Sequence, residues 1–133
     1  MTARISLLNP NSTAAMTDDM VAIARALLPA DMSVAGMTNL SGPPAIQGAE
    51  DVAACLPGLF ALARDAMAAR ADAIVIGCFD DTGLGDLRAA MPCPVVGLGE
   101  AGMLAATLAA PRFAVLTTTE GSVQAIIDNM TAM

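Results

Sequence analysis

Four short apolar runs, RISLLN at 4–9, ADAIVIG at 71–77, PVVG at 94–97 and RFAVLT at 112–117, each stop at turn formers and give way to a stretch of helical periodicity. ADAIVIG is continuous and β-branched, as a strand covered on both faces should be. MSVAGMT at 32–38 is a weaker strand of the same kind. Between the strands, Met16, Met20, Ile23, Ala24 and Leu27 recur on one helical face until Pro29 stops the pattern. Residues 49–70 read as a second helix, which Pro57 should bend or divide. A short helix runs through Leu84, Leu87 and Arg88, another opens at GEAG, and a last one starts near Glu120. This alternation predicts an α/β fold, a mostly parallel sheet with helices on both faces.

With 133 residues, the chain has room for one compact domain, or for one domain and the start of a second. The composition is 56% hydrophobic, enough for a core, yet Asp, Arg, Gly and Pro interrupt every apolar run well short of the roughly 20 residues that span a bilayer. The opening MTARISLLNPNST lacks the longer apolar stretch of a signal peptide, so the expected location is cytoplasmic. Six basic residues, all arginine, stand against thirteen acids for a net charge of −7. Nucleic acid is a poor partner for such a chain, because backbone binding needs clustered cations. Its three cysteines have no metal-finger spacing and histidine is absent, which argues against zinc and against imidazole as a general base. Acid/base work at neutral pH must come from a carboxyl, a thiol or a terminal amine.

Ligands of open α/β sheets bind beyond the carboxyl ends of the strands. That edge carries Asn9, Asn11, Ser12 and Thr13 after the first strand, Cys78 to Thr82 after the strongest, and Thr117 to Thr119 after the last. Together they could surround one small polar ligand. Backbone N–H groups from residue 79 onward favour thiolate at Cys78, whereas Asp80 and Asp81 oppose it, and sequence leaves that balance open. It also leaves open a Cys78 that is merely a small buried residue, and an NPNST segment that is an ordinary strand-to-helix turn with Ser12 or Thr13 as cap. Thr117 to Thr119 could likewise be β-branched strand residues and a cap. Cys55, in an Ala- and Leu-rich helix, and Cys93, between two prolines, read as structural. Asp18, Asp19, Glu50, Asp51 and Asp72 read as solvated charge, and Glu100 as a favourable charge at a helix N-terminus. A phosphatase-like thiol loop fails because residue 84 is Leu and residues 80 and 81 are Asp. RISLLNPNST and RFAVLTTTEGS form a weak repeat, and on its spacing a counterpart of Cys78 would fall beyond Met133.

Taken together, LLNPNST (7–13), SGPPAIQG (41–48), IVIGCFDDTGL (74–84), PVVGLGEA (94–101) and FAVLTT (113–118) resemble the aspartate/glutamate/hydantoin racemase family, most closely its hydantoin and allantoin racemase branch. The resemblance implies a racemase-like α/β lobe, with residues 1–97 as the first lobe and 98–133 as the start of a second, incomplete one. It implies a racemase or epimerase that needs no cofactor and no metal, acting on a small amino-acid derivative such as a hydantoin, allantoin or an acidic amino acid. Two cysteines, one from each lobe, would face opposite sides of the stereocentre. Cys78 matches the first of them, and Phe79 and Asp80 the positions beside it whose backbone faces substrate. Asn9, Asn11 and Ser12 match the first polar loop, and Thr117 and Thr118 the threonines that open the second lobe. Thr82 stands where the family usually has proline, a difference expected to affect loop stiffness more than chemistry. The family's second Gly-Cys motif has no match here, so the chain is expected to hold one catalytic thiol of two. The resemblance implies a small-molecule substrate and no nucleic-acid or membrane partner, and it allows a homo-oligomer. The alternatives are a non-catalytic ligand-binding or structural fragment, and a decarboxylase or cis-trans isomerase on the same scaffold.

Overall fold

The computed structural model describes residues 3–132. Four strands, β1 (Ala3–Asn9), β2 (Met32–Thr38), β3 (Ala73–Ile76) and β4 (Val95–Gly97), form one sheet in the order β2-β1-β3-β4. Every pair is parallel, with Leu7 opposite both Gly36 and Val75, and Ile76 opposite Gly97. The helices are α1 (Ala14–Leu27), α2 (Ala49–Ala68), α3 (Leu84–Ala90), α4 (Leu98–Ala109) and α5 (Gly121–Ala132). Right-handed crossovers put the helix of a leftward step on one face of the sheet and those of rightward steps on the other. The step from β1 to β2 therefore carries α1 on one side, and the steps through β3 to β4 carry α2 and α3 on the other.

Alternation along β1 divides the core accordingly. Leu8 joins Ile74, Ile76 and Val95 beneath Leu59, Ala63 and Ala66 of α2 and Leu87 of α3. Leu7 joins Val34 beneath Val21 of α1, with Ile5, Met20, Ala24 and Leu28 packed around them. α1 alone does not cover its face, and an apolar groove of about 390 Å³ remains, lined by Ile5, Met20, Ile23, Val75 and Leu98 among others. No group in that groove can do acid/base chemistry.

Three expectations need correction. The buried face of α1 is centred on Thr17 and Val21, while Met16, Ile23 and Leu27 are exposed. Thr17 takes a core position because its hydroxyl is paired with Asn9 and with Thr38 Oγ1 at 2.7 Å, a partnership that apolar periodicity does not register. Pro57 does not divide α2, which runs unbroken from Ala49 to Ala68. Within this helix the Cys55 carbonyl accepts from the Asn39 side-chain amide at 3.0 Å, fastening the end of the β2 strand to α2. Residues 112–117 form no strand. Among the described residues no strand lies alongside them to pair their N–H and C=O groups, and Leu116 is almost wholly exposed. High β-propensity is not enough without a neighbour.

Cys55 is buried in α2, where its Sγ donates to the Val52 carbonyl at 3.2 Å. Burial, reinforced by the nearby Cys78, pushes its thiol up to about 11. The folded chain therefore holds this proton more tightly than the unfolded chain, whose thiol titrates near 9.0. Its contribution to stability is complete below about pH 9 and is lost as pH rises towards about 11. Thermal midpoints recorded across that window should fall, and fall less steeply in Cys55→Ala.

Candidate active site

At the carboxyl edge of the sheet, β1 ends in Asn9, which is fully buried and occupied on all sides. Its Nδ2 donates to Asn11 Oδ1 (3.0 Å), to the Thr13 carbonyl (3.2 Å) and to Thr17 Oγ1 (3.0 Å), and its Oδ1 accepts from the Asn11 N–H (3.1 Å). Thr13 is the N-cap of α1, but its side chain does not cap; its hydroxyl donates to the Pro44 carbonyl at 2.8 Å. The Thr13 N–H donates instead to Asn11 Oδ1 at 2.9 Å. NPNST is thus a hydrogen-bonded knot tied by two asparagine side chains, tighter than the simple capped turn that the residues alone allow.

β3 hands over to the cysteine loop through a last sheet-like bond, from the Gly77 N–H to the Leu8 carbonyl (2.8 Å). The chain then turns, with the Asp81 N–H donating to the Cys78 carbonyl at 3.1 Å and with positive φ at Asp81 (50°) and Gly83 (73°). The left-handed conformation is one that glycine adopts freely and aspartate tolerates. It directs the Asp81 carboxylate away from the sulfur and onto the first turn of α4, where it accepts from the N–H groups of Gly99 (2.8 Å) and Glu100 (2.7 Å). A Cβ at Gly97 would overlap that carboxylate, and one at Gly99 would overlap the Phe79 carbonyl. Glu100 itself turns outward to a two-pronged pair with Arg88, which holds its carboxyl below the usual range. Burial raises the Asp81 carboxyl despite the two N–H donors.

Asp80 is held from the other side. Ser122 of α5 donates to its carboxylate at 2.9 Å, and Asn129 donates to its carbonyl at 2.9 Å. The two aspartates that the sequence sets beside the thiol therefore have separate tasks, one fastening the loop to α4 and the other to α5.

Between these anchors lies an open cavity of about 370 Å³. Gly77, Cys78, Phe79 and Asp80 form one wall, Asn11, Met16 and Met20 a second, and Thr117, Thr118, Thr119 and Ser122 a third; Ala45, Ile46, Gln47 and Leu98 complete the lining. Of the residues expected at a ligand, Cys78, Phe79, Asp80, Asn11, Thr117 and Thr118 thus come together. Asn9 and Ser12 do not reach the cavity wall, since Asn9 is consumed by the knot that positions Asn11. Ile46 and Gln47 were missed as lining, although the SGPPAIQG loop carrying them is marked by paired proline and glycine. Met16 was assigned to a helix core and instead faces this space. Cys55 and Cys93 are not among the lining residues.

At Cys78 the opposing influences can now be ranked. Burial raises the thiol above its ordinary value and outweighs the hydrogen bonds that favour thiolate, from the Thr82 side chain and the N–H groups of Asp80 and Thr82; the Asp80 charge adds to the rise. Burial thus favours the thiol over the thiolate at this sulfur. Thr82, expected to bear on stiffness more than on chemistry, lies against the sulfur. It is buried, and its Oγ1 lies 3.6 Å from Cys78 Sγ.

The Asp/Glu/hydantoin racemase model matches residues 5–133. A hydantoin racemase of Rhizobium meliloti is 39% identical over 124 residues, 93% of this chain and 52% of the relative. A hydantoin racemase of Pseudomonas sp. (strain NS671) is 32% identical over 114 residues, 86% of this chain and 46% of the relative. Among solved structures, the allantoin racemase from Klebsiella pneumoniae superposes with a TM-score of 0.94 at 31% identity, covering 98% of this chain and 54% of its own. The allantoin racemase from Pseudomonas fluorescens has the same fold, with a TM-score of 0.87 at 24% identity, covering 97% of this chain and 55% of its own. The chain spans about half the length of the relatives it matches. No described helix is long and apolar enough to cross a membrane. With the match running from β1 through α5 and the sheet superposing almost throughout, the chain belongs to the Asp/Glu/hydantoin racemase family.

Proposed function

We propose that this chain supplies one half of a cofactor-independent racemase site for a small amino-acid derivative such as a hydantoin or allantoin, with Cys78 moving the proton at the stereocentre. Residues 1–97 make the first lobe in this reading, and 98–133 open the second. One observation supports it: Cys78 is among the residues lining a cavity where the polar segments that follow β1 and precede α5 meet.

The chemistry follows from the groups present. In one direction the thiolate removes the proton from the stereocentre, so that the C–H bond breaks, an S–H bond forms, and the electron pair moves onto the adjacent carbonyl oxygen. We assign the stabilisation of such an oxygen to Thr117, Thr118 and Asn11, whose side chains carry donors and which line the cavity. Racemisation then needs an acid on the opposite face of the planar intermediate. The relatives are about twice as long as this chain, and we assign the opposite acid to the part of such a protein that these residues do not include. Because the reaction is symmetric, a thiol suits it well, serving as base in one direction and acid in the other.

A second reading has its own observation: Cys78 is the single thiol lining the cavity among the described residues. The protein would then be a binding module that holds the ligand without turning it over, in the longer form as well. Titration calorimetry and polarimetry with a 5-substituted hydantoin, allantoin and glutamate, run on this chain and on a protein that carries both halves, distinguish the two. Racemisation by the longer protein is expected, together with binding but no turnover by the 133-residue chain. Absence of racemisation of all three substrates by the longer protein would overturn the assignment.

A further inference from the structure

Resting on the reading of Cys78 as the proton-transfer group, we propose that Thr82 is a positioning residue whose hydroxyl donates to the Cys78 sulfur and increases the share of its reactive, ionised form. Thr82 sits four residues beyond the cysteine, just before the left-handed Gly83 that opens α3, and its side chain is 4% exposed. Its Oγ1 lies 3.6 Å from Cys78 Sγ, and that sulfur is its hydrogen-bond partner among the described residues. A buried hydroxyl with one available partner is not free to turn elsewhere. When the sulfur is a thiol, either group can donate. When it is a thiolate, only the hydroxyl can, and a hydrogen bond to an ionised acceptor is roughly twice as strong as one between neutral groups. The contact therefore favours the thiolate selectively.

The electrostatic setting leaves this bond with much to offset. The titratable groups acting on the sulfur are Asp80 from its own loop and Cys55 from α2, and ionisation of either opposes ionisation of Cys78. Asp81, the remaining carboxylate of the loop, is committed to the N–H groups of Gly99 and Glu100. No cationic side chain is among the groups that act on the sulfur. Hydrogen bonds counter burial at this thiol, and the Thr82 hydroxyl is the side chain that supplies one.

The test is site-resolved alkylation of the 133-residue chain by iodoacetamide, read by mass spectrometry as a function of pH. Thiolate is the species that reacts, so the rate at Cys78 follows its ionised fraction. In Thr82→Val, which keeps the shape and removes the hydroxyl, the Cys78 curve is expected to move to higher pH, with alkylation at neutral pH roughly five- to tenfold slower. Thr82→Ser, which keeps the hydroxyl, should stay within about twofold of the native rate. Buried Cys55 reports folding in the same spectra, and Thr82→Ala replaces the valine variant should Cys55 become reactive there. A Thr82→Val or Thr82→Ala curve that coincides with the native one, or a serine variant displaced as far as valine, overturns the proposal. The readout needs no catalysis, so it stands apart from the racemisation assay that tests the function itself.

Discussion

Cys78→Ser, introduced into a protein that carries both halves of the site, is expected to lower racemisation in both directions by roughly a thousandfold or more, while exchange of the substrate proton with deuterated solvent survives for one enantiomer only. The asymmetry follows from the proposal that Cys78, which lines one side of the cavity, serves one face of the substrate. An enantiomer presenting its proton to residue 78 meets a serine hydroxyl, far too weak an acid to be ionised near neutral pH, and its exchange stops. Its mirror image is still deprotonated from the opposite face, and the same group returns the deuteron with retention, so exchange continues without inversion. A well-placed general acid or base contributes about 10²–10⁴ in rate, and inversion requires both faces to work. Deuterium incorporation followed by NMR for each enantiomer separately checks this. Equal exchange of both enantiomers in the variant would show that residue 78 is not the proton carrier.

Asn9→Ala is expected to destabilise the fold by about 3 kcal/mol, comparable to deletion of a large core side chain. Asn9 is wholly buried and takes part in four hydrogen bonds with Asn11, Thr13 and Thr17. Alanine leaves the buried Asn11 N–H without its partner and takes one donor each from Asn11 Oδ1, the Thr13 carbonyl and Thr17 Oγ1. Each stranded buried group costs about 1–3 kcal/mol. Asn9→Asp should be no better, because a carboxylate has no N–H to donate and would face Asn11 Oδ1 directly. Thermal melts of the two variants should lie roughly 10 °C below the native chain. A loss under about 1 kcal/mol would mean that the knot is not what orders the loop. The expectation bears on function too, since Asn9 sets the position of Asn11 on the cavity wall.

The segment 112–117 has the composition of a strand, and the sequence reading counted it as one. Strand formation is a bargain between two backbones, and local composition carries no information about whether a partner is present. The same blindness affects α1, where Thr17 looks solvent-facing by hydropathy but is buried because Asn9 and Thr38 satisfy its hydroxyl. At the cysteine loop, adjacent aspartates looked equivalent, yet positive φ at Asp81 sends its carboxylate to α4 while Asp80 is taken by Ser122. The place of the Thr82 hydroxyl was equally hidden, because sequence does not record which side chain it meets in the folded loop.

What the amino-acid order determined by itself was the alternation of β1, α1, β2, α2 and β3, and the placement of Cys78 at a strand's carboxyl end. Both follow from periodicities and turn residues that act over a few neighbours in the chain. Tertiary structure alone decided which polar side chains are spent inside the fold and which face the cavity, and which way burial tips the sulfur. Those outcomes depend on contacts between residues as far apart as Asp80 and Asn129. Hydrogen bonding and desolvation act through distance in space, which a linear pattern does not record.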